Sequence, residues 1–200
     1  MVGGWGTLHR GWCLAMVGRE AEGIAQMTEG LAAFRSTGSV VFLPCWLIRL
    51  AKAYGKAQRP LEGLGHLTEA IRIIERTEER EFEAELYRVR GELLLAPEDA
   101  GQAEESFCTA LEIARCQSAK LWELRAATSL ARLGRDQGKS AEAHELLASV
   151  YGWFTEGFDT PVLQEATALL DELSADQRRE MGDGVASAPT SSRNVMYDST

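Results

Sequence analysis

At 200 residues the chain is long enough to bury a sizeable core, and its 45% apolar and 26% charged residues are those of an ordinary globular protein. A formal net charge of −9 argues against nucleic acid as a partner, because phosphate binding needs a basic surface. The longest apolar stretch, Val40 to Ile48, contains Pro44 and ends at Arg49, too short to cross a bilayer.

Ala, Leu, Glu and Arg are abundant, and all four favour helices. Apolar spacing and turn residues predict helices over roughly 4–16, 20–36, 41–57, 60–77, 80–96, 100–117, 120–137, 140–155 and 161–173. Gly18-Arg19, Gln58-Arg59-Pro60, Pro97-Glu98-Asp99 and Gly138-Lys139-Ser140 separate the two helices within each successive pair. Ser36-Thr37-Gly38, Thr77-Glu78-Glu79-Arg80 and Gln117-Ser118-Ala119 separate one pair from the next. The last helix opens on Asp159-Thr160-Pro161, with a capping side chain and a proline at the first helical position. Its stripe of Leu163, Ala166, Leu169, Leu170 and Leu173 suits it to cover the fourth pair. No stripe follows, so residues 1–173 are expected to form the folded array and 174–200 a disordered tail.

The pairs repeat every 40 residues. Gly23, Gly63, Ala103 and Ala143 form a column of small residues, and so do Gly11, Ala51, Gly91 and Ala131, twelve earlier. Met27, Leu67, Phe107 and Leu147 are large and apolar, and Gly30, Ala70, Ala110 and Val150 are small to medium. Within each copy these positions share one helix face. Small residues in facing columns require two helices to approach closely. Each copy is therefore a helical hairpin.

These columns resemble the tetratricopeptide repeat, as Gly91, Ala103, Phe107 and Ala110 show in the third copy and Ala51, Gly63, Leu67 and Ala70 in the second. The departure is a period of 40 residues where that family typically has 34. The resemblance implies an all-α fold, a right-handed α-α superhelix of such hairpins. The stretches 84–94, 122–132 and 151–160 further resemble the C-terminal arrays of bacterial signalling proteins. There a class III adenylate or guanylate cyclase domain, or a transcriptional-regulator domain, precedes a predicted ATPase module and then the repeats. This implies a non-catalytic regulatory scaffold, with any cyclase or ATPase activity residing in upstream domains and no cofactor in this chain.

Sites of chemistry find little support. Gly134-Arg135-Asp136-Gln137-Gly138-Lys139-Ser140 has three residues between its glycines where a phosphate loop needs four, and it aligns with the turns of the other copies. Cys13, Cys45, Cys108 and Cys116 form no C-x-x-C pair, and His9, His66 and His144 stand alone, so neither a metal nor a disulfide is expected. The opening Met1-Val2-Gly3-Gly4-Trp5-Gly6 lacks the basic start and apolar run of a targeting segment, which points to the cytoplasm. Trp46, Trp122 and Trp153 are expected in the core or between repeats.

Mapping the groove positions of the resembled family onto the first helix of each hairpin gives a concave surface. It comprises Trp5, Leu8, Trp12 and Met16, then Cys45, Ile48, Lys52 and Lys56, then Glu85, Arg88 and Glu92, and finally Arg125, Thr128 and Arg132. Such a groove, apolar at one end and mixed-charge at the other, suits a protein, a peptide or upstream domains of the same architecture. The alternative is a small-molecule sensor whose superhelix binds an effector and regulates an attached ATPase. Converging charges in a polar pocket would favour the sensor, and an open groove with an apolar end would favour docking. The first hairpin begins on Trp5, Leu8 and Trp12, which predicts self-association or packing on an upstream domain there.

Overall fold

The computed structural model describes residues 2–95 and 99–186. Among the described residues the regular structure is helical: α1 (Val2–Met16), α2 (Glu20–Arg35), α3 (Leu43–Lys56), α4 (Pro60–Thr77), α5 (Glu83–Leu93), α6 (Ala100–Cys116), α7 (Lys120–Asp136), α8 (Ser140–Tyr151) and α9 (Pro161–Ala186). Each odd-numbered helix from α1 to α7 pairs antiparallel with the helix that follows it, and α9 packs on α8 and α7. The odd helices also lie side by side, α1 on α3, α3 on α5, α5 on α7 and α7 on α9, whereas successive even helices stand further apart, α2 reaching α4 through the Arg35–Glu69 ion pair at 2.7 Å. The odd helices therefore line the inner face of the all-α superhelix that the repeat predicts.

Both kinds of turn recur at the 40-residue period. Gly18, Gln58 and Gly138 have φ of 88°, 58° and 76°, and each ends the first helix of a hairpin. Gly38, Glu78 and Ser118 have φ of 76°, 58° and 54°, and stand between hairpins. The residue after each of three of these turns, Arg19, Arg59 and Lys139, donates its N–H five residues back, to the carbonyls of Leu14, Tyr54 and Gly134. This closes the helix end with a left-handed residue, a position glycine fills without strain.

The close crossings lie where the small columns predict. A Cβ placed on Gly11 would lie 2.7 Å from the Gly23 carbonyl oxygen. One on Gly23 would lie 2.6 Å from both the Ala15 nitrogen and the Gly11 carbonyl oxygen. In the second hairpin a Cβ on Gly63 would meet the Ala51 carbonyl oxygen at 3.0 Å. The third hairpin fills the same space differently, because the Phe107 ring covers Gly91 and would stand 2.4 Å from an added Cβ. The large column (Met27, Leu67, Phe107, Leu147) is fully buried beside these crossings. Tyr87 touches both the core of the first two hairpins and that of the last, so the core is continuous along the stack.

Three expected elements differ, and of these α8 ends at Tyr151 rather than at 155. Helix α5 is shorter than the span 80–96, beginning after Phe82 and closing where the Leu94 N–H reaches the Arg90 and Gly91 carbonyls. Helix α9 does not stop at 173 but continues to Ala186. Ala175-Asp176-Gln177-Arg178-Arg179-Glu180-Met181 contains strong helix formers, and an existing helix extends at little cost once nucleated. Gln177 also donates to the Ser140 carbonyl at 3.4 Å. The expected tail thus loses its first part to the helix, and residues 187–200 lie outside the described residues.

Gly23→Ala should lower the melting temperature, since the new methyl meets rigid backbone on two sides, and overpacking of this kind costs about 1–3 kcal/mol. Gly65, exposed within α4 and with nothing within 4 Å of an added Cβ, supplies the control. Gly65→Ala should raise stability by about 0.5–1 kcal/mol. Parallel thermal unfolding of the two variants checks the pair, and equal shifts would contradict the crossing.

Candidate functional site

Every 40 residues the inner face presents the same positions of α1, α3, α5, α7 and α9. Residues 45, 85, 125 and 165 are Cys, Glu, Arg and Glu, and residues 52, 92, 132 and 172 are Lys, Glu, Arg and Glu. Charge therefore alternates along the stack: positive on α3, negative on α5, positive on α7, negative on α9. The contacts follow the alternation. Glu85 pairs with Lys52 at 3.6 Å and with Arg125 at 2.8 Å, Arg132 pairs with Glu165, and Arg135 pairs with Glu172 at 2.6 Å. On α1 the corresponding residue is Trp12, whose ring lies under the Lys52 ammonium at 6.0 Å.

Glu85 is the centre of this ladder. It is only 6% exposed, and so is almost fully desolvated. Its Oε2 accepts from Arg88 Nε at 2.7 Å, and its Oε1 accepts from Arg88 Nη2 at 2.9 Å and Arg125 Nη2 at 2.8 Å. Arg88, 5% exposed, also donates to Glu92 and to Ser129 Oγ at 3.2 Å. Burial pushes the Glu85 carboxyl up, but the hydrogen bonds and charge of Arg88, with the charges of Arg125 and Lys52, outweigh it and hold the carboxyl below its ordinary value. Arg88 is raised despite its burial, by the same two carboxylates. Lys52 and Arg125 are lowered, chiefly by burial.

Beside the ladder opens a cavity of about 200 Å³, lined by Trp12, Cys45, Ile48, Arg49, Lys52, Phe82, Glu85, Trp122 and Arg125. Its walls alternate rings and cations. Arg49 lies 4.8 Å from the Trp46 ring and 5.7 Å from Trp12, and Arg125 lies 5.1 Å from Trp122. Phe42, Phe82 and Trp122 occupy one column and touch edge to face, at 6.3 Å and 6.5 Å between centroids. A second cavity, of about 520 Å³ and lined by Met16, Lys52, Lys56, Glu92, Leu93 and Leu95 among others, shares Lys52 with the first. The two adjoin at Lys52.

Of the residues mapped from sequence, Trp12, Cys45, Ile48, Lys52, Glu85 and Arg125 line the first cavity, and Met16, Lys56 and Glu92 line the second. Arg88 braces Glu85 from behind. Arg132 reaches away to α9. Leu8 is not on the groove: it is fully buried, its Cγ against the crossing at Gly30. Thr128 is buried too, its hydroxyl donating to the Leu124 carbonyl. Trp5 stands outside the groove, at the N-terminal end, edge-on to Phe34, Phe42 and Trp46.

Three contributors to the first cavity escaped the sequence mapping: Arg49, Phe82 and Trp122. The 40-residue column of Phe42, Phe82 and Trp122 was the available signal for two of them. Of the tryptophans expected in packing, Trp46 is buried, Trp122 lines the groove, and Trp153 is exposed, edge-on to Phe154. Among the described residues no group of His, Cys, Asp or Glu is placed to hold a metal ion, and no helix is long and apolar enough to cross a membrane.

Comparison with known proteins agrees with this geometry. The tetratricopeptide repeat family matches residues 42–115, which are α3 to α6. A Podosopora anserina protein named for kinesin light chain, built of nearly identical TPR-like repeats, is similar with a TM-score of 0.64 at 17% identity, over 90% of each chain. BtubC (BKLC) from P. vanneervenii is similar with a TM-score of 0.61 at 17% identity, over 94% of this chain and 84% of that one. No curated protein matches. The fold is a TPR-like array, a stack of helical hairpins of the kind that presents an extended concave surface.

Replacing Glu85 with Gln should cost about 3 kcal/mol at pH 7, because it removes one partner of a buried ion pair. The folded-state carboxyl lies below its ordinary 4.5, so its contribution is full above that value and is lost as the pH falls through the folded value. Melting temperatures of wild type and Glu85→Gln should therefore differ by a constant amount above about pH 5.5 and converge as the pH drops below 4.5. A difference that persists undiminished in acid would show that the carboxylate charge is not what Glu85 supplies.

Proposed function

We propose that this chain is a regulatory docking module whose concave groove takes an extended peptide or a segment of a neighbouring domain. The observation that carries the reading is a pair of cavities that adjoin at Lys52, the first of them lined by tryptophan and phenylalanine rings interleaved with cations. Rings and guanidinium groups are the side chains that dominate the energetics of protein interfaces. In the finer reading, supported by the resemblance of residues 84–94, 122–132 and 151–160 to signalling arrays, the module transmits docking to an attached ATPase or nucleotide cyclase.

The converging charges around Glu85 are a feature of the small-molecule sensor reading. The charges there are engaged in bracing α3, α5 and α7, which favours the peptide.

Selection from a random twelve-residue peptide display library against the folded chain tests the docking reading. Enriched peptides should slow hydrogen exchange in α3, α5 and α7 and leave α4 and α8 unchanged. Protection confined to the even-numbered helices, or no enrichment, would refute the groove as the docking site.

A second surface supports self-association. Trp5, Val41 and Phe42, at 40%, 55% and 40% exposure, rim a notch of about 690 Å³ at the N-terminal end. Exposed apolar patches of this kind commonly mark an interaction site. Light scattering during size-exclusion chromatography should give a concentration-dependent mass for the wild type and a monomer for Val41→Ser/Phe42→Ser. A wild type that stays monomeric at every concentration would overturn this reading.

A further inference from the structure

The fourth hairpin lacks a side chain that the other three carry. Leu14, Tyr54, Leu94 and Gly134 stand at one position of the 40-residue period, toward the end of the first helix of each hairpin. The turn that follows is the same in three of the copies, since the carbonyls of Leu14, Tyr54 and Gly134 each accept the N–H five residues on. In the second hairpin the Tyr54 ring is held on three sides. A Cβ on Gly63 would lie 3.5 Å from Tyr54 Cβ, the His66 ring stacks on it at 5.3 Å between centroids, and the Arg59 guanidinium lies 4.9 Å from its centre. Two periods on, those three places are Ala143, Leu146 and Lys139, and where the ring would be they line a cavity of about 160 Å³. Leu130 and Leu133 add apolar wall from α7, and Cys108 lines it from α6. The backbone does not demand the glycine. The φ of Gly134 is not positive, and the nearest atom to an added Cβ is the Cβ of Ala143, at 3.2 Å.

We infer that this cavity binds one uncharged aromatic ring of phenol size, carried by a free small molecule and seated as Tyr54 is seated in the second hairpin. Apolar cavities left where a side chain is missing accept molecules the size of the missing group. Lys139 stands where Arg59 faces the Tyr54 ring, a cation suited to an aromatic face. Glu104 and Glu142 outnumber Lys139 around the cavity, which disfavours an anionic ligand. None of the exposed large apolar side chains lines it, so it lacks the apolar surround that a protein partner would cover. The site shares no residue with the two cavities that adjoin at Lys52, and so stands apart from the docking reading. A bound ring would touch α6 together with α7 and α8, tying the third hairpin to the fourth.

The probe is p-cresol, the tyrosine side chain cut from its Cα. Calorimetric titration of the wild type should show saturable binding in the millimolar range or tighter. Alkylation of Cys108 should slow as the site fills, while Cys45, which lines the cavity at Lys52, and the exposed Cys13 keep their rates. Gly134→Tyr/Ala143→Gly rebuilds the arrangement of Tyr54 opposite Gly63, and should fold by circular dichroism and weaken binding roughly tenfold or more. Methylcyclohexanol, which lacks a π face, and p-toluate, which carries a negative charge, should each bind several-fold more weakly than p-cresol. Absence of saturable binding, or protection of Cys45 in place of Cys108, would overturn the site, and both are read on the wild type whether or not the filled variant folds. A folded Gly134→Tyr/Ala143→Gly that binds as the wild type does would overturn it too. Equal binding of either comparison compound would overturn the ligand class.

Discussion

The close approach of two helices at the small-residue crossings is the constraint on which everything else depends. With Gly11 and Gly23 in van der Waals contact through their backbones, no side chain separates α1 from α2, and the angle of the hairpin is set by carbonyl and amide atoms rather than by adaptable side chains. Repeated down the stack, that spacing places the odd helices next to one another and leaves the even helices apart. Only because α3, α5 and α7 are neighbours can a residue on each reach one shared carboxylate, and only because they splay beside it does a groove open. The groove is a consequence of residues that lie outside it.

Within that frame the groove trades stability between packing and charge. Burying Glu85 and Arg88 is expensive, and their mutual bonds repay it only when the geometry is good and the remaining donors find partners. Ser129 and Glu92 complete Arg88. Lys52 and Arg125 are left with less. The aromatic column of Phe42, Phe82 and Trp122 runs beside this ladder and links the same helices without charge, so stacking of the hairpins does not rest on ion pairs alone.

Much of the fold was legible because its determinants are periodic. A column of small residues repeated every 40 positions means the same thing in each copy, and the crossings at Gly11, Gly23 and Gly63 follow from it. The groove was legible only by half, for a geometric reason. A helix face wide enough to include Trp12 and Lys52 also includes Leu8 and Thr128, and their neighbours in space decide that the latter two turn inward. Trp122 suits a core by composition, but its place in the column turns it toward the groove, whereas Trp153, in the turn after α8, is exposed. The length of α9 was hidden because the signal sought was an apolar stripe, while the added turns rest on backbone propensity and need no stripe.

The alternation of sign along the inner face has a consequence for how such an array can change over generations. Its hairpins repeat every 40 residues, but its charges repeat only every 80, since α3 and α7 are positive where α5 and α9 are negative. Loss or duplication of a single hairpin by recombination between similar stretches would keep every turn and every crossing in register, yet would set Lys52 against Arg125, or Glu85 against Glu165. Loss or gain of two hairpins together would keep like charges apart. The ladder therefore acts as a parity rule on the copy number of its own genetic unit, one that the hydrophobic core, apolar in the same columns of every hairpin, has no means to impose.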